Sequence, residues 1–122
     1  MKQVIFDSSF LMAVVEQPTT WYSDIVEGLG KFEPVMLECV REELQKLASG
    51  KGRRARTARV ALDLAGGFKA AGCGGAGVDD EVISASASAG AALATVDSDL
   101  AKSARGAHLK VVTLRNGRVA IG

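Results

Sequence analysis

The sequence predicts an α/β domain with a mainly parallel central sheet and helices on both faces, and two observations predict it. Short runs rich in apolar and β-branched residues alternate along the chain with helical stretches of about ten residues, the order that builds βαβ units. No repeat or linker interrupts that alternation, so residues 1–122 read as one domain, with 48% apolar residues to supply its core.

Val4–Phe6 reads as the first buried strand. It stops at Asp7-Ser8-Ser9, residue types that favour a helix start, and an apolar helix follows over Phe10–Val15. Pro18-Thr19-Thr20 breaks the chain, and Thr20 is a candidate cap for a helix over Trp21–Leu29. There Trp21, Ile25 and Leu29 recur every fourth residue, which assigns Trp21 to the core before any ligand. Pro34–Leu37 is the second strand, and the helix Glu38–Ser49 ends at Gly50, suited to a left-handed terminus. A long helix is predicted over Arg53–Ala70, followed by a glycine-rich loop at 72–77. A helix opening at Asp79 and Asp80 then leads to a strand over Ala91–Thr95. Asp97–Arg105 is a further helix and Leu109–Thr113 a strand, and Asn116-Gly117 signals a hairpin returning Arg118–Ile121 as an edge strand.

Charge narrows the function classes little, since 15 basic residues nearly balance 14 acidic ones. A single His, with Cys39 and Cys73 far apart, excludes a structural zinc site and predicts free, reduced thiols in a cytoplasmic protein. The apolar start is broken by Asp7-Ser8-Ser9, unlike a secretory signal. No stretch approaches the roughly 20 apolar residues of a membrane span. The glycine-rich loop is not followed by Gly-Lys-Ser/Thr and is no phosphate-binding P-loop.

The chemistry lies in the carboxylates. In a parallel sheet with right-handed crossovers, all strand C-termini share one edge, the edge at which open α/β sheets bind ligands. Asp7 follows the first strand and Asp97 the strand ending at Thr95, so both belong to that edge. Asp79 begins the helix leading into the latter strand and can face the same place. On the Glu38–Ser49 helix, Leu37, Val40, Leu44 and Leu47 form an apolar stripe. At about 100° per residue, Glu42 points away from the stripe while Glu43 borders it. The same projection puts Asp79 nearer the buried face than Asp80, which is left as an outer or occasional ligand.

Taken singly, Asp7, Asp79 and Asp97 also suit helix caps, worth about 0.5–2 kcal/mol each. Gathered together, carboxylates repel by roughly 3 kcal/mol per pair at 5 Å and an effective dielectric of 20, which a cation would offset. All-oxygen donors select hard ions, Mg²⁺ or Mn²⁺, and such ions support in-line hydrolysis of a phosphodiester by activating water and stabilising phosphate charge.

With those acids in place, the sequence resembles the PIN-domain nucleases over nearly its whole length. Val4-Ile5-Phe6-Asp7-Ser8-Ser9-Phe10-Leu11 looks like the family's first motif, a strand ending in Asp and small polar residues. Val40-Arg41-Glu42-Glu43-Leu44 is similar to the second, whose acid stands directly before Leu. Asp79-Asp80-Glu81-Val82-Ile83 resembles the third and Ala94-Thr95-Val96-Asp97-Ser98-Asp99-Leu100 the fourth. The resemblance implies a three-layer α/β/α fold and a metal-dependent endoribonuclease. Asp7, Glu43, Asp79 and Asp97 would be its catalytic and metal-holding residues, Asp80 and Asp99 further ligands, and Ser8, Ser9 and Thr95 supports. The double Asp, the Arg-rich helix and the compact length look most like an archaeal branch related to ribosomal-RNA-processing PIN proteins. Toxins of toxin–antitoxin pairs share the acidic set, and an RNA-binding or ribosome-assembly factor with weak or no catalysis is the alternative. A homodimer, an antitoxin or a ribosomal precursor particle are the protein partners so implied. Val96, where many relatives carry a polar residue, and the glycine-rich loop depart from the pattern.

RNA is expected at the one basic cluster. Lys46, Lys51, Arg53, Arg54, Arg56 and Arg59 follow one another without an acid between them. Of these, Lys51, Arg53, Arg54, Arg56 and Arg59 are the candidate phosphate contacts, which would set affinity without reading sequence. Their alternative is a solvated helix face, with Arg59 and Asp63 a weak pair one turn apart.

Overall fold

A computed structural model describes residues 1–122. Its elements run β1 (Lys2–Phe6), α1 (Ser8–Glu16), α2 (Trp21–Leu29), β2 (Phe32–Leu37), α3 (Glu38–Ala48), α4 (Arg53–Leu64), β3 (Lys69–Ala71), α5 (Val78–Ala89), β4 (Ala92–Ala94), α6 (Ser98–Gly106), β5 (Val111–Arg115) and β6 (Arg118–Ile121). The six strands form one sheet in the order β3-β2-β1-β4-β5-β6, parallel except for β6. This is the predicted fold class.

The central position of β1 follows from its sequence. Val4, Ile5 and Phe6 are buried on both faces, as a strand flanked by parallel neighbours must be. β2 and β4 pair with it on either side, so strand order reverses between β1 and β4, the place where open α/β sheets leave a crevice. α1, α3 and α4 pack together, while α5 packs on β1 and β4 and against α6. Right-handed crossovers put these two groups on opposite faces of the sheet. Phe6 and Phe10 are buried, and half-buried Trp21 meets them edge-on with ring centroids 5.6 and 6.1 Å away, so Trp21 joins the core as its spacing predicts.

Far from the crevice, the Asn116-Gly117 turn has positive φ at both residues (52° and 77°), the geometry of a tight hairpin. The Asp24 carboxylate on α2 accepts from Arg118 Nε at 3.1 Å and Val119 N at 3.4 Å, fastening β6 to α2. No helix is long and apolar enough to cross a membrane.

Several local expectations are corrected. The helix beginning at Arg53 ends at Leu64 and not Ala70; a short 3₁₀ turn follows, and Lys69–Ala71 becomes an edge strand paired with β2. Gly50 is not left-handed; Gly52 is, with φ +94°, at the N-terminus of α4. Thr20 precedes α2 without capping it, and its hydroxyl donates to Asp24 instead. Arg59 makes no ion pair with Asp63; it donates to Ala48 O at 3.1 Å and Gly50 O at 3.0 Å and braces the α3–α4 turn.

The cysteines are the largest correction. Cys39 and Cys73 are joined in a disulfide, with Cα atoms 6.1 Å apart, and neither is free. The cause is the β2–β3 register: Leu37 pairs with Ala71, and each cysteine lies two residues beyond its member of that pair.

Candidate active site

A cleft of about 1000 Å³ opens at the C-terminal edge of the sheet, over the point where strand order reverses. Asp7, Glu43, Asp79 and Asp97 all line it. The four acids come from the ends of β1 and β4, the middle of α3 and the first turn of α5.

Asp7 is held from below. It is 5% exposed, and its Oδ2 accepts from Ser9 Oγ at 2.6 Å and from Thr95 Oγ1 at 3.0 Å. Each hydroxyl has one proton, and both are directed at Asp7, so the 3.0 Å approach of Ser9 to Thr95 carries none. Their remaining capacity goes to backbone: Val96 N donates to Ser9 Oγ and Asp97 N to Thr95 Oγ1, each at 3.1 Å. Asp7 itself makes no capping bond to α1, so burial and two donors fix it without a cap role.

The other three acids differ in how they are held. Asp97 does cap its helix, Oδ1 accepting from Leu100 N at 3.0 Å. Asp79 lies in the first turn of α5 while Gly77 occupies the cap position. Glu43 accepts from Ser8 Oγ at 2.6 Å, a bond joining α3 to the start of α1. Glu42 does not line the cleft, as the helical projection predicts.

Partial burial in the cleft raises the pKa of Asp79, and the negative charges of Asp7, Asp97, Glu43 and Asp80 raise it further. By surface area Asp79 remains exposed, so the neighbouring charges are the cause the geometry supports better.

Other candidate residues lie elsewhere. Asp80 and Asp99 do not line the cleft. Among the basic residues, Arg54 lines it, and so does Lys46 on α3; Lys51, Arg53, Arg56 and Arg59 do not. The only His, His108, borders a small pocket with Lys2 and Lys110, away from these acids. Sequence reasoning left out the wall of α1, where Met12, Ala13, Glu16 and Gln17 line the cleft on the helix face that also carries Ser8 and Ser9. Their four-residue spacing was the available signal.

Within the glycine-rich loop only Gly74 has a steric reason, since a Cβ on Gly72, Gly75 or Gly77 would meet nothing within 4 Å. A Cβ on Gly74 would sit 3.0 Å from Glu81 Oε1, and that oxygen is buried with no hydrogen-bond partner. A side chain at position 74 would press on the first turn of α5.

No three of the carboxylates form a ready-made ligand set for an ion. The donor chemistry still fits a hard cation, since Mg²⁺ keeps several waters and takes only one or two carboxylates together with substrate phosphates.

A family model described as a PIN-like domain matches residues 4–117. The chain belongs to the PIN-like domain family. Among solved structures, it is similar to the PIN domain endonuclease Utp24, at 25% identity and TM-score 0.81, over 98% of this chain and 90% of that one. It is also similar in fold to a domain of a functionally unknown protein from Methanocaldococcus jannaschii, at 15% identity and TM-score 0.62, over 100% and 97% of the two chains. PAE2754 from Pyrobaculum aerophilum shares the fold at 20% identity and TM-score 0.54, over 81% and 77%. No curated protein matches the chain. PIN-like membership and the likeness to an endonuclease together point to nuclease chemistry for the chain.

Proposed function

We propose that this PIN-like protein is a divalent-metal-dependent endoribonuclease that hydrolyses RNA phosphodiesters. The observation carrying this reading is the gathering of Asp7, Glu43, Asp79 and Asp97 in one open cleft, with buried Asp7 oriented by two hydroxyls. Three of these acids stand at helix starts, yet only Asp97 spends its carboxylate on a cap. Helix capping therefore does not explain the cluster.

In this reading, Asp7, Glu43, Asp79 and Asp97 would hold Mg²⁺ or Mn²⁺, which would supply acidification of water and neutralisation of charge at the scissile phosphate. Asp7 and Asp97 are kept in mutual register by Thr95, and Glu43 is steered by Ser8. Asp79, whose proton affinity its neighbours raise, would be relieved of their repulsion by a cation. The archaeal resemblance makes ribosomal-RNA processing the proposed setting, with the precursor particle as partner.

Cleavage of oligoribonucleotides by wild type and Asp7→Asn, in Mn²⁺ and in chelator, tests the reading. Wild type should cleave only with metal, and Asp7→Asn should lose at least 100-fold. Equal cleavage by both proteins would overturn the mechanism, and binding without cleavage by either would favour an RNA-binding assembly factor.

A further inference from the structure

The cleft is longer than four acids require. One wall is α1, from Ser8 at the sheet edge to Gln17 beyond the helix end, about 14 Å at 1.5 Å per residue. The other wall is the α3–α4 arm, where Glu43, Lys46 and Leu47 share one face of α3 and Gly50, in the turn after it, hands on to Arg54 in α4. The volume of about 1000 Å³ is at the upper end for a small-molecule pocket, so a mononucleotide would leave much of it empty.

Charge is unevenly spread along this groove. The four acids already described stand at the sheet end, Glu16 lines the α1 wall about two turns beyond Ser8, and the cations stand on the other wall. Lys46 lies about one helical turn past Glu43 on the same wall, and Arg54 enters from the next helix. Neither cation is paired: the ion pairs of the molecule are Lys69–Glu33 and Arg118–Asp24, although Lys46 has Glu42 and Glu43 within a helical turn. Leu47, with the small exposed part of Met12, adds apolar surface to the lining. Arg59 holds the turn that precedes Arg54 through its bonds to Ala48 O and Gly50 O, so the position of Arg54 is braced.

We propose that the groove between α1 and the α3–α4 arm is the track of an RNA backbone, in which Lys46 and Arg54 hold the phosphates adjoining the one at the acids. The proposal rests on the nuclease reading for the identity of the ligand and adds the direction in which the strand leaves the acids. Of the basic cluster, only these two residues then act as positioning residues within the groove.

Binding of a fluorescein-labelled oligoribonucleotide, followed by anisotropy in Ca²⁺ over a series of KCl concentrations, tests it without needing turnover. Lys46→Ala with Arg54→Ala should weaken binding at least tenfold and reduce the slope of log K against log salt by about 1.4, since each phosphate left without its cation accounts for about 0.7. Lys46→Arg with Arg54→Lys should restore the slope, which a purely structural role would not predict. The charge-matched control on α6, Lys102→Ala with Arg105→Ala, lies off the cleft and should leave the slope unchanged. A wild-type slope in the Lys46/Arg54 variant, a larger loss from Arg53→Ala with Arg56→Ala, or no RNA binding by wild type would each overturn the track. Binding with the predicted slopes but no cleavage in Mn²⁺ would uphold the track while removing the nuclease reading, so the two failures are distinguishable.

Discussion

The Thr95 hydroxyl lies 3.0 Å from Asp7 Oδ2 and 3.1 Å from Asp97 N, so one fully buried side chain ties together acids ninety positions apart in the chain. Donating to one and accepting from the other, it uses both sides of a hydroxyl, and valine has the same shape with neither capacity.

Thr95→Val is therefore expected to destabilise the protein by about 1–3 kcal/mol, the cost of leaving buried polar groups unpaired. It should also weaken metal affinity by about 10–100-fold, the usual effect of removing a group that orients a ligand. Thr95→Ser should keep most of both. Urea unfolding and Mn²⁺ titration measure the two effects, and a Val variant indistinguishable from wild type would refute the link.

Ser8 offers the opposite case. Its 2.6 Å bond to Glu43 is exposed, so Ser8→Ala should change stability by less than about 0.5 kcal/mol. Freed of that bond, Glu43 should bind Mn²⁺ less well, and calorimetry showing unaltered affinity would remove Ser8 from the site.

Two carboxylates should move stability with pH in opposite senses when metal is chelated. Asp79 has a pKa above the ordinary 3.8, so its ionisation costs the folded state stability as pH rises from about 3.8 through the raised value. Asp79→Asn should thus be more stable than wild type at pH 7, with the gap closing below that range. Asp24 has a lowered pKa, first through its hydrogen bond from Arg118. Its stabilisation is present above 3.8 and is lost as pH falls through the lowered value, so Asp24→Asn should be less stable at pH 7 and converge with wild type in acid. Thermal unfolding across pH checks both, and a destabilised Asp79→Asn at pH 7 would contradict the assigned repulsion.

The disulfide closes a span of 34 positions, for which the chain-entropy model gives about 3–4 kcal/mol. Native protein should show no titratable thiol, and a reducing agent should expose two and lower Tm. A Cys39→Ser/Cys73→Ser variant should have the lower Tm with or without reductant. Two reactive thiols in native, unreduced protein would mean the bond does not form.

What the sequence made legible follows from what depends on local pattern. The strand-end position of Asp7 and Asp97 came from hydrophobic runs, and the choice of Glu43 over Glu42 came from helical angle. β3 carried no such pattern: Lys69-Ala70-Ala71 has no β-branched residue and is a strand only because Val35–Leu37 pairs with it. The disulfide depends on that same pairing, so missing the strand meant missing the bond. The separation of Lys46 and Arg54 from the rest of the basic cluster also required the α3–α4 turn, whose geometry is set by side chain–backbone bonds from Arg59.

The Cys39–Cys73 bond makes residues 39–73 a closed macrocycle carrying Glu43 and all six cations of the cluster. The exposed turn around Lys51 and Arg53 lies inside that ring. A trypsin-like cut there would open the ring without releasing a fragment. The nicked molecule would keep its full mass until reduced, with the segment bearing Glu43 and the segment bearing Arg54 still tethered on either side of the break.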